Sequence, residues 1–403
     1  MRGFNTLLFV LFALSANAAD GTVGTVSVQK GNNVSVNGEA PLSLTLDGKD
    51  HQSCQFLSKR APDESHEFTW KEVTTTRGGE LAEILGDQLR SVDSLVVKGY
   101  VNDKDFHAMW DASLYGYLSV INLKNAVLEN NAVPDTAFFH ENEQYEGSSH
   151  EIFYYIGLRK IILPEGLEKI GEGAFYQASA LRQVNFPSTL RYIGDFAFNA
   201  TKLEMNQLVI PEGVEEINQY AFAFCRKLKA QVTLPSTIKK IGEWAFYGCP
   251  ITSINLPEGL ESLGSLAFWD CDLREVSIPS SCHEFNEGWQ FGFNRNLEKM
   301  HLPEGMTEIP DHFAVDCFRL REVNFPHTLK HIGEKAFSLC ISLKNVDLPL
   351  GMQSLGEEAF SELEALEHIV FPASMKSLGK NSCSYWKNIK RIYCAAMEPP
   401  VCD

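Results

Sequence analysis

Cysteine and histidine are the residues of this chain whose types could support chemistry, and their spacing indicates what that chemistry is. Five cysteines follow one another at intervals of 24, 22, 46 and 23 residues, namely Cys225, Cys249, Cys271, Cys317 and Cys340. A zinc site draws its ligands from close pairs such as C-x2-C, and these intervals are far longer. They match the period of a repeat instead, so we interpret these cysteines as small buried apolar residues, one per repeat.

A histidine beside carboxylates could serve as a general acid or base, and His301 is expected to share the concave face with Glu275, Glu322 and Asp347, because all four occupy outward positions of their strands. A solvated polar surface carries the same residue types, and we favour that interpretation. The sequence contains no G-x-S-x-G, H-E-x-x-H, P-loop or dinucleotide-binding motif. It therefore predicts no catalytic site, no metal site and no cofactor, and a protein that is not an enzyme.

Prolines recur every 22 to 24 residues and define the repeat. Aligned on them, the unit reads L-x-x-I-x-L-P-x-x-L-x-x-I-G-x-x-A-F-x-x-C, and ten copies cover residues 158–394. Such regular self-similarity predicts a solenoid, in which each repeat buries its apolar face against its neighbours. The prolines are Pro164, Pro187, Pro211, Pro235, Pro257, Pro279, Pro303, Pro326, Pro349 and Pro372.

The spacing within the unit predicts its local structure. Apolar residues alternate before each proline, as at Ile254 and Leu256, which indicates a short strand that the proline ends. We expect equivalent strands to pair in parallel. The glycines of the I-G step, such as Gly242 and Gly264, are expected at a turn that needs positive φ. The phenylalanines of the Ala-Phe pair, including Phe246 and Phe313, are expected to stack as a buried aromatic spine.

The consensus resembles the BspA-like, or Treponema pallidum-type, class of leucine-rich repeats. That resemblance implies an α/β-class leucine-rich-repeat solenoid, predominantly β, curved and right-handed, with a parallel sheet on its concave face and a degenerate N-terminal cap. It also implies an exported bacterial surface protein, since several members of the family are associated with adhesion to host proteins, matrix or other bacteria. After the prolines, Glu-Gly and Ser-Thr pairs alternate, as at Glu258 and Ser236, which we interpret as duplication of a two-repeat unit.

The N-terminus predicts export. Arg2 precedes an apolar stretch at residues 7–14, and Ala16-Asn17-Ala18 forms a cleavage site, so residues 1–18 read as a signal peptide. No cysteine follows the cleavage site to carry a lipoprotein anchor, and no later stretch suggests a transmembrane segment. The formal charge of −17 disfavours nucleic acid and anionic membranes as partners. We expect a secreted or cell-surface protein.

The remaining segments of the chain are assigned from their residue patterns. Residues 19–74 form an N-terminal β element or tether, with a hairpin expected from Val26–Val28 and Val34–Val36. Residues 75–157 are expected to be an N-terminal cap of degenerate repeats, with a helix that Asp103 caps. The repeats at 158–394 are followed by a C-terminal cap at 395–403. Cys394 and Cys402 are the candidate disulfide, and the states of Cys54 and Cys383 are left open.

An aromatic stripe is the strongest indication of a binding surface. Nine residues after the proline, a position that is otherwise small or polar carries large apolar side chains in four consecutive repeats, and two more aromatics follow the spine phenylalanine. Exposed patches of this kind mark interaction sites, although docking of residues 20–70 or internal stacking would also account for them. The candidate partner-binding residues are Phe196, Tyr220, Trp244, Leu266, Tyr247 and Trp269.

The sequence thus favours a non-catalytic module for protein binding or adhesion. The alternative is a glycan-binding surface protein that uses the rim aromatics together with amides and hydroxyls of the concave face, such as Gln207, Gln231 and Ser253. The ligand is therefore expected to be a protein or a glycan, while the oligomeric state stays open.

Overall fold

The computed structural model describes residues 67–139, 156–396 and 400–402, and elsewhere the backbone of six short strands. Two of these strands pair antiparallel with Val26 opposite Val36, as the hairpin pattern predicts. The predicted signal peptide and Cys54 lie outside the described residues. The six strands are Gly24–Gln29, Asn33–Gly38, Leu44–Leu46, Lys49–Gln52, Phe56–Leu57 and Phe153–Tyr154. Among the described residues, no helix is both long enough and apolar enough to cross a bilayer.

The chain divides into two units. The first comprises residues 1–167, 171–185 and 200–203, and the second comprises 168–170, 186–199 and 204–403. The first unit contains a five-stranded parallel sheet. In spatial order its strands are Trp70–Thr75, Ser94–Val101, Val120–Leu128, Lys160–Ile162 and Gln183–Val184, and the short strand Ala132–Val133 lies outside this sheet.

Two helices connect the first strands of this unit. Helix α1 spans Leu81–Leu85 and continues as a 3-10 turn over Gly86–Arg90, and helix α2 spans Asp103–Tyr115. A further 3-10 turn spans Glu129–Asn131. The prediction that Asp103 caps α2 is wrong by one residue, because Asn102 accepts the cap hydrogen bond from the Lys104 N–H at 3.1 Å. The two sequence neighbours are both good capping residues, so the pattern could not separate them.

The second unit is built from turns that each contribute two short strands, and it confirms the predicted parallel β-solenoid. The first strand of each turn precedes the proline position. In groups of three that pair in parallel, these are Gln207–Val209, Gln231–Thr233 and Ser253–Asn255, then Glu275–Ser277, Lys299–His301 and Glu322–Asn324, then Asn345–Asp347, His368–Phe371 and Arg391–Cys394.

The second strand of most turns contains the isoleucine or leucine of the I-G step, and Phe285 and Cys402 take its place in two turns. The side chain of this isoleucine or leucine is buried in most turns, for example at Ile217, Ile241 and Leu263, so these strands form the opposite wall of the core. They are Lys169–Ile170, Tyr192–Ile193, Glu216–Ile217, Lys240–Ile241, Ser262–Leu263, Glu284–Phe285, Glu308–Ile309, His331–Ile332, Ser354–Leu355, Ser377–Leu378 and Val401–Cys402.

The aromatic spine is present and fully buried. From Phe198 to Phe291 consecutive rings stack at 5.2 to 5.6 Å, with interplanar angles of 10° or less. The stack is interrupted at Phe313, which meets Phe291 edge-on at 76°. The reason is an inverted residue order: this repeat reads Phe313-Ala314, so the alanine takes the spine position and the ring is displaced by one residue.

The cysteine column satisfies the backbone of the spine. Cys249 Sγ donates to the Phe222 carbonyl at 2.9 Å, and Cys225 and Cys271 make the equivalent bond to the carbonyls one turn earlier. Asn294 fills the same position in its turn and donates to the Phe268 carbonyl at 2.7 Å. Burial raises the pKa of the Cys249 thiol well above its ordinary value, so this column serves packing and carbonyl satisfaction.

The glycines of the I-G step are required for a different reason than the sequence suggested. Gly242 and Gly264 do not have positive φ. A Cβ added at Gly264 would lie 2.4 Å from the Glu243 nitrogen of the preceding turn, and one at Gly242 would lie 2.8 Å from the Gln219 nitrogen. Close approach of neighbouring turns therefore selects glycine here, and the expectation of a positive φ is wrong.

The Glu-Gly and Ser-Thr pairs that alternate after the prolines form hydrogen bonds between neighbouring turns. The Glu258 carboxylate accepts from the N–H and the hydroxyl of Ser280 at 3.2 and 3.1 Å. The Ser281 hydroxyl accepts from the Gly259 N–H at 2.9 Å and donates to the Leu260 carbonyl. The same pattern recurs at Glu212 with residues 236–237 and at Glu304 with residues 327–328. The two-repeat period thus has a hydrogen-bonding basis.

Candidate functional site

The predicted stripe lies on the turn that follows the second strand, two residues before the spine. Its members Phe196, Tyr220, Trp244 and Leu266 all have left-handed backbone conformations, with φ between 54° and 57°. Non-glycine residues adopt this conformation at a cost, because Cβ crowds the backbone. In each turn the chain therefore accepts backbone strain at the position where it presents a large side chain.

The first three rings stack on one another. Phe196 and Tyr220 lie 4.7 Å apart at an interplanar angle of 8°, and Tyr220 and Trp244 lie 5.3 Å apart at 14°. All three are half-buried, and both faces of Tyr220 are covered, so its exposed part lies at the ring edge. The predicted possibility of internal stacking is thus realised, and part of each side chain remains at the surface.

Tyr247 packs beside Trp244. The two ring centroids lie 4.3 Å apart, and Phe224 packs against the other side of Tyr247 at 5.0 Å. Tyr247 is only 8% exposed. Burial raises the pKa of its phenol to about 12, with the nearby Asp270 carboxylate contributing in the same direction. Tyr247 thus lies largely beneath the edges of the stripe.

Trp269 belongs to a second aromatic cluster that sequence reasoning missed. Its ring lies 4.6 Å from Phe293 and 5.2 Å from Trp289, and Trp289 stacks on His312 at 3.7 Å and 8°. Trp289 and His312 occupy the position of their turns that is equivalent to Trp244. They form one column with it and share its left-handed backbone conformation. Trp289 follows Pro279 by ten residues instead of nine, so a fixed count from the proline passed over it. Counting back two residues from the spine Phe291 would have found it.

We define the aromatic stripe as the partner-binding residues predicted above together with these additions. Its members are Phe196, Tyr220, Trp244, Tyr247, Leu266, Trp269, Trp289, Phe293 and His312. Leu266 fills the column position between Trp244 and Trp289 and is half-buried.

Hydrogen-bond donors of the stripe remain available. Within the residues that the structure describes, the indole N–H groups of Trp244, Trp269 and Trp289 have no protein acceptor. Most backbone N–H groups of the column are already used, as Tyr220 donates to the Glu243 carbonyl and Trp244 to the Ser265 carbonyl. New hydrogen bonds from these positions must therefore come from their side chains.

Charged groups border the stripe. Arg226 bonds to Asp270 at 2.9 Å and lies over the Phe224 ring, and the Glu243 carboxylate contributes to the raised pKa of Tyr220, whose main cause is burial. At the far end, burial lowers the pKa of His312, although Glu334 lies 3.8 Å from its Nε2 atom and opposes that shift. Burial beside Trp289 therefore favours the neutral form of His312.

The conceivable acid–base set lies on the outer face of the first-strand sheet. His301 Nε2 is 3.2 Å from Glu275, and Lys299 pairs with Glu322 at 3.3 Å. Glu275, Lys299 and Glu322 are exposed. This arrangement is a row of solvated polar and charged side chains. The uncharged residues Gln207, Gln231 and Ser253 align on the same face nearer the N-terminus and are also exposed.

The candidate disulfide cysteines lie on different sheets of the last turn. Cys394 pairs in register with Phe371 on the first-strand sheet, and Cys402 pairs with Leu378 on the second-strand sheet. Both thiols are exposed and unbonded, so their pairing stays a prediction. The pKa of Cys383 is raised mainly by burial, with a contribution from nearby Cys402. No group of three or more metal-ligating side chains occurs in the described part of the chain.

Comparison with known proteins identifies the repeat. The model of the BspA type leucine rich repeat region matches residues 148–231, 229–337 and 312–397, with six copies of the family domain. A leucine-rich repeat protein from Bacteroides ovatus is 20% identical with a TM-score of 0.56, and the match covers 92% of each chain. At that identity the likeness shows the fold alone.

Two further solved structures are more distant. A leucine rich cell surface protein from Faecalibacterium prausnitzii is 21% identical with a TM-score of 0.36, over 70% of this chain and 83% of that one. The pneumococcal vaccine antigen PcpA is 17% identical with a TM-score of 0.38, over 94% of this chain and 89% of that one. No curated protein matches the chain.

Proposed function

Because this chain belongs to the family of BspA-type leucine-rich repeat proteins, we propose that it is an exported, non-catalytic adhesion module that binds a protein partner at the aromatic stripe. Proteins with this repeat fold are typically surface or protein-interaction modules, are generally non-catalytic and are typically surface-exposed. The predicted signal peptide supports export to the medium or the cell surface.

The observation that carries this proposal is the row of half-exposed aromatic edges with unused indole donors. Trp and Tyr are the residue types most enriched among binding hot spots, because each offers a large apolar surface and one polar group. Trp244, Trp269 and Trp289 combine both features on adjoining turns. Their rings are held by stacking and by neighbouring backbone, so little side-chain entropy is lost on binding.

The ring stacking also favours a protein over a glycan at this surface. Sugars pack their C–H faces against the open face of an aromatic ring, and both faces of Tyr220 are covered by Phe196 and Trp244. The alternative, a glycan-binding surface protein, would then have to rely on the exposed amides of the first-strand sheet, such as Gln207 and Gln231. The two functions thus use different surfaces and can be separated by variants.

The test compares mature chain, a Trp244→Ser/Trp269→Ser double variant and a Gln207→Ala/Gln231→Ala double variant on immobilised extracellular-matrix proteins and on a glycan array. The proposal expects saturable binding to a matrix protein that only the tryptophan variant loses, by at least tenfold in Kd, while circular dichroism shows a folded chain. Binding to a glycan that depends on the glutamines, with no protein bound, would overturn it in favour of the alternative.

A further inference from the structure

Two of the described sheets end in open strand edges that differ in how they are protected. Among the described strands, Trp70–Thr75 pairs only with Ser94–Val101 and forms the edge of the five-stranded sheet. Its Lys71 stands in register with Leu95, which is fully buried, yet the lysine itself is exposed. A charge at a core-facing position discourages another strand from pairing with an edge, so this edge is protected.

The edge at Arg391–Cys394 has no such protection. This strand pairs only with His368–Phe371 among the strands that the structure describes. Ile392 stands in register with the fully buried Ile369, but 56% of Ile392 is exposed. Cys394, two residues on and on the same face of the strand, is exposed as well. An unpaired edge with apolar side chains at its core-facing positions is a template for a further strand.

The turn that contains this edge is positively charged, although the chain as a whole has a formal charge of −17. Residues 373–396 contain five lysines and arginines and no carboxylate side chain, and the five are Lys376, Lys380, Lys387, Lys390 and Arg391. Lys387 and Lys390 pair with glutamates of the preceding turn. Within the described residues Arg391 forms no ion pair. A strand that adds to this edge therefore gains from carrying carboxylates.

Inner strands of the same solenoid show which residues such a segment needs. On the outer face, Lys299 and Glu322 stand in register on adjacent strands and pair at 3.3 Å. On the core-facing side, the next residue Met300 stands opposite a valine of the adjacent strand and has no exposed surface. The same order at the open edge places a carboxylate opposite Arg391 and an apolar side chain opposite Ile392.

We propose that the edge strand Arg391–Cys394 binds an extended, acidic segment of a partner protein, which adds to the sheet as a further strand and places a carboxylate opposite Arg391. Main-chain hydrogen bonds along the edge supply affinity, and the alternating side chains of the segment supply specificity. This edge shares no residue with the aromatic stripe, so the inference goes beyond the proposed function and does not depend on it.

The test measures fluorescence anisotropy of a labelled Thr-Glu-Val-Thr-Val-Thr peptide with the mature full-length chain. Saturable binding that weakens as salt is raised is expected, because salt screens the charge pair. A Thr-Lys-Val-Thr-Val-Thr peptide should bind about tenfold more weakly. A Thr-Glu-Val-Pro-Val-Thr peptide lacks a main-chain donor and should also bind more weakly.

Variants of the chain locate the binding site. Arg391→Glu should reverse the preference, so that the lysine peptide binds more tightly than the glutamate peptide. Ile392→Lys copies the arrangement at Lys71 and should abolish binding of both peptides, while circular dichroism shows a folded chain. Lys229→Glu makes the same kind of charge change at an exposed residue of an earlier turn, and as the matched control it should bind as the unmodified chain does.

Several outcomes would overturn the inference. Absence of binding, equal binding of the glutamate and lysine peptides, or an unchanged preference in Arg391→Glu would show that this edge does not select an acidic strand. Sedimentation velocity is run in parallel, and self-association that Ile392→Lys abolishes, with no peptide bound, would assign the edge to a second copy of the chain. Loss of peptide binding in the Trp244→Ser/Trp269→Ser variant would place the peptide at the aromatic stripe, whereas loss of matrix-protein binding alone would leave this inference standing.

Discussion

The second unit contains two ladders of stacked aromatic rings, the spine and the stripe. Their members lie two residues apart in the same turn, and the two ladders differ in what surrounds the rings. In the spine, Phe222 and Phe246 stack at 5.3 Å with no exposed surface. In the stripe, Tyr220 and Trp244 stack at the same 5.3 Å, but both side chains are only half-buried. The same stacking geometry thus stabilises the interior in one column and builds a surface in the other.

The backbone conformation also differs between the two ladders. Ala245-Phe246 lies in an ordinary conformation, whereas Trp244 has a φ of 57°, a conformation that glycine or asparagine adopts with less strain. Earlier in the chain Gly173 occupies the equivalent position, and Asn381 does so later. Lys335 and Glu358 share this left-handed conformation at the equivalent position, so the conformational cost belongs to the turn itself, and stacking of the large aromatic side chains helps to offset it.

The largest effect is expected in the spine. Phe246→Ala removes a fully buried ring that stacks on Phe222 and Phe268. We expect the free energy of unfolding to fall by about 3–5 kcal/mol, since both apolar burial and packing are lost. Denaturant titration followed by circular dichroism measures it, with Phe246→Leu as a control that should lose less. A loss below about 1 kcal/mol would contradict the assignment of this column to the core.

The next largest loss of stability is expected where neighbouring turns approach each other closely. Gly264→Ala would place a methyl group 2.4 Å from the Glu243 nitrogen, and neighbouring turns would have to separate. We expect a loss of roughly 1–3 kcal/mol in unfolding free energy. Gly351→Ala is the matched control, because its nearest neighbour would be 3.7 Å away and its φ is ordinary. Equal stability of the two variants would argue against turn-to-turn contact as the reason for glycine.

A smaller effect is expected from the buried phenol of Tyr247. Its pKa is raised to about 12, from an ordinary value of 10.0, so above pH 10 the unfolded chain loses this proton before the folded chain does. Its contribution to stability is therefore lost as pH rises, by on the order of 1 kcal/mol per pH unit until the folded pKa is reached. Tyr247→Phe should flatten that slope, whereas Tyr385→Phe, at a residue 73% exposed, should leave it unchanged.

Much of the architecture could be predicted from the sequence because burial leaves a periodic pattern. The alternation at Ile254 and Leu256, the spine phenylalanines and the cysteine column are all apolar at fixed intervals, and a solenoid repeats its environment with each turn. Inversions within the pattern are harder to detect. Phe313-Ala314 has the same composition as Ala-Phe, and the hydrogen bonds from Cys340 to the Ala314 carbonyl and from the Phe291 N–H to the Phe313 carbonyl show that Ala314 occupies the spine position.

The stripe could be predicted only in part, for two physical reasons. Glycine is selected both by positive φ and by close backbone approach, so Gly264 suggested the turn but not the residue with the left-handed conformation, which is Leu266. Counting from the proline also fails where a repeat is one residue longer, which hid Trp289, whereas His312 lies at the counted position but is not a large apolar side chain. Half-burial itself leaves no periodic signature, because an aromatic column looks the same whether its rings face the core or lie at the surface.

The most direct test of this account compares the two ladders in one experiment. Trp244→Ala and Phe246→Ala change two positions of the same turn that lie two residues apart. For each variant, the free energy of unfolding is measured by denaturant titration, and the affinity for the partner is measured in parallel. The account predicts that Trp244→Ala loses about 1–2 kcal/mol and most of the binding, while Phe246→Ala loses about 3–5 kcal/mol. Equal stability losses, with binding retained by Trp244→Ala, would make the stripe a second part of the core and contradict the account.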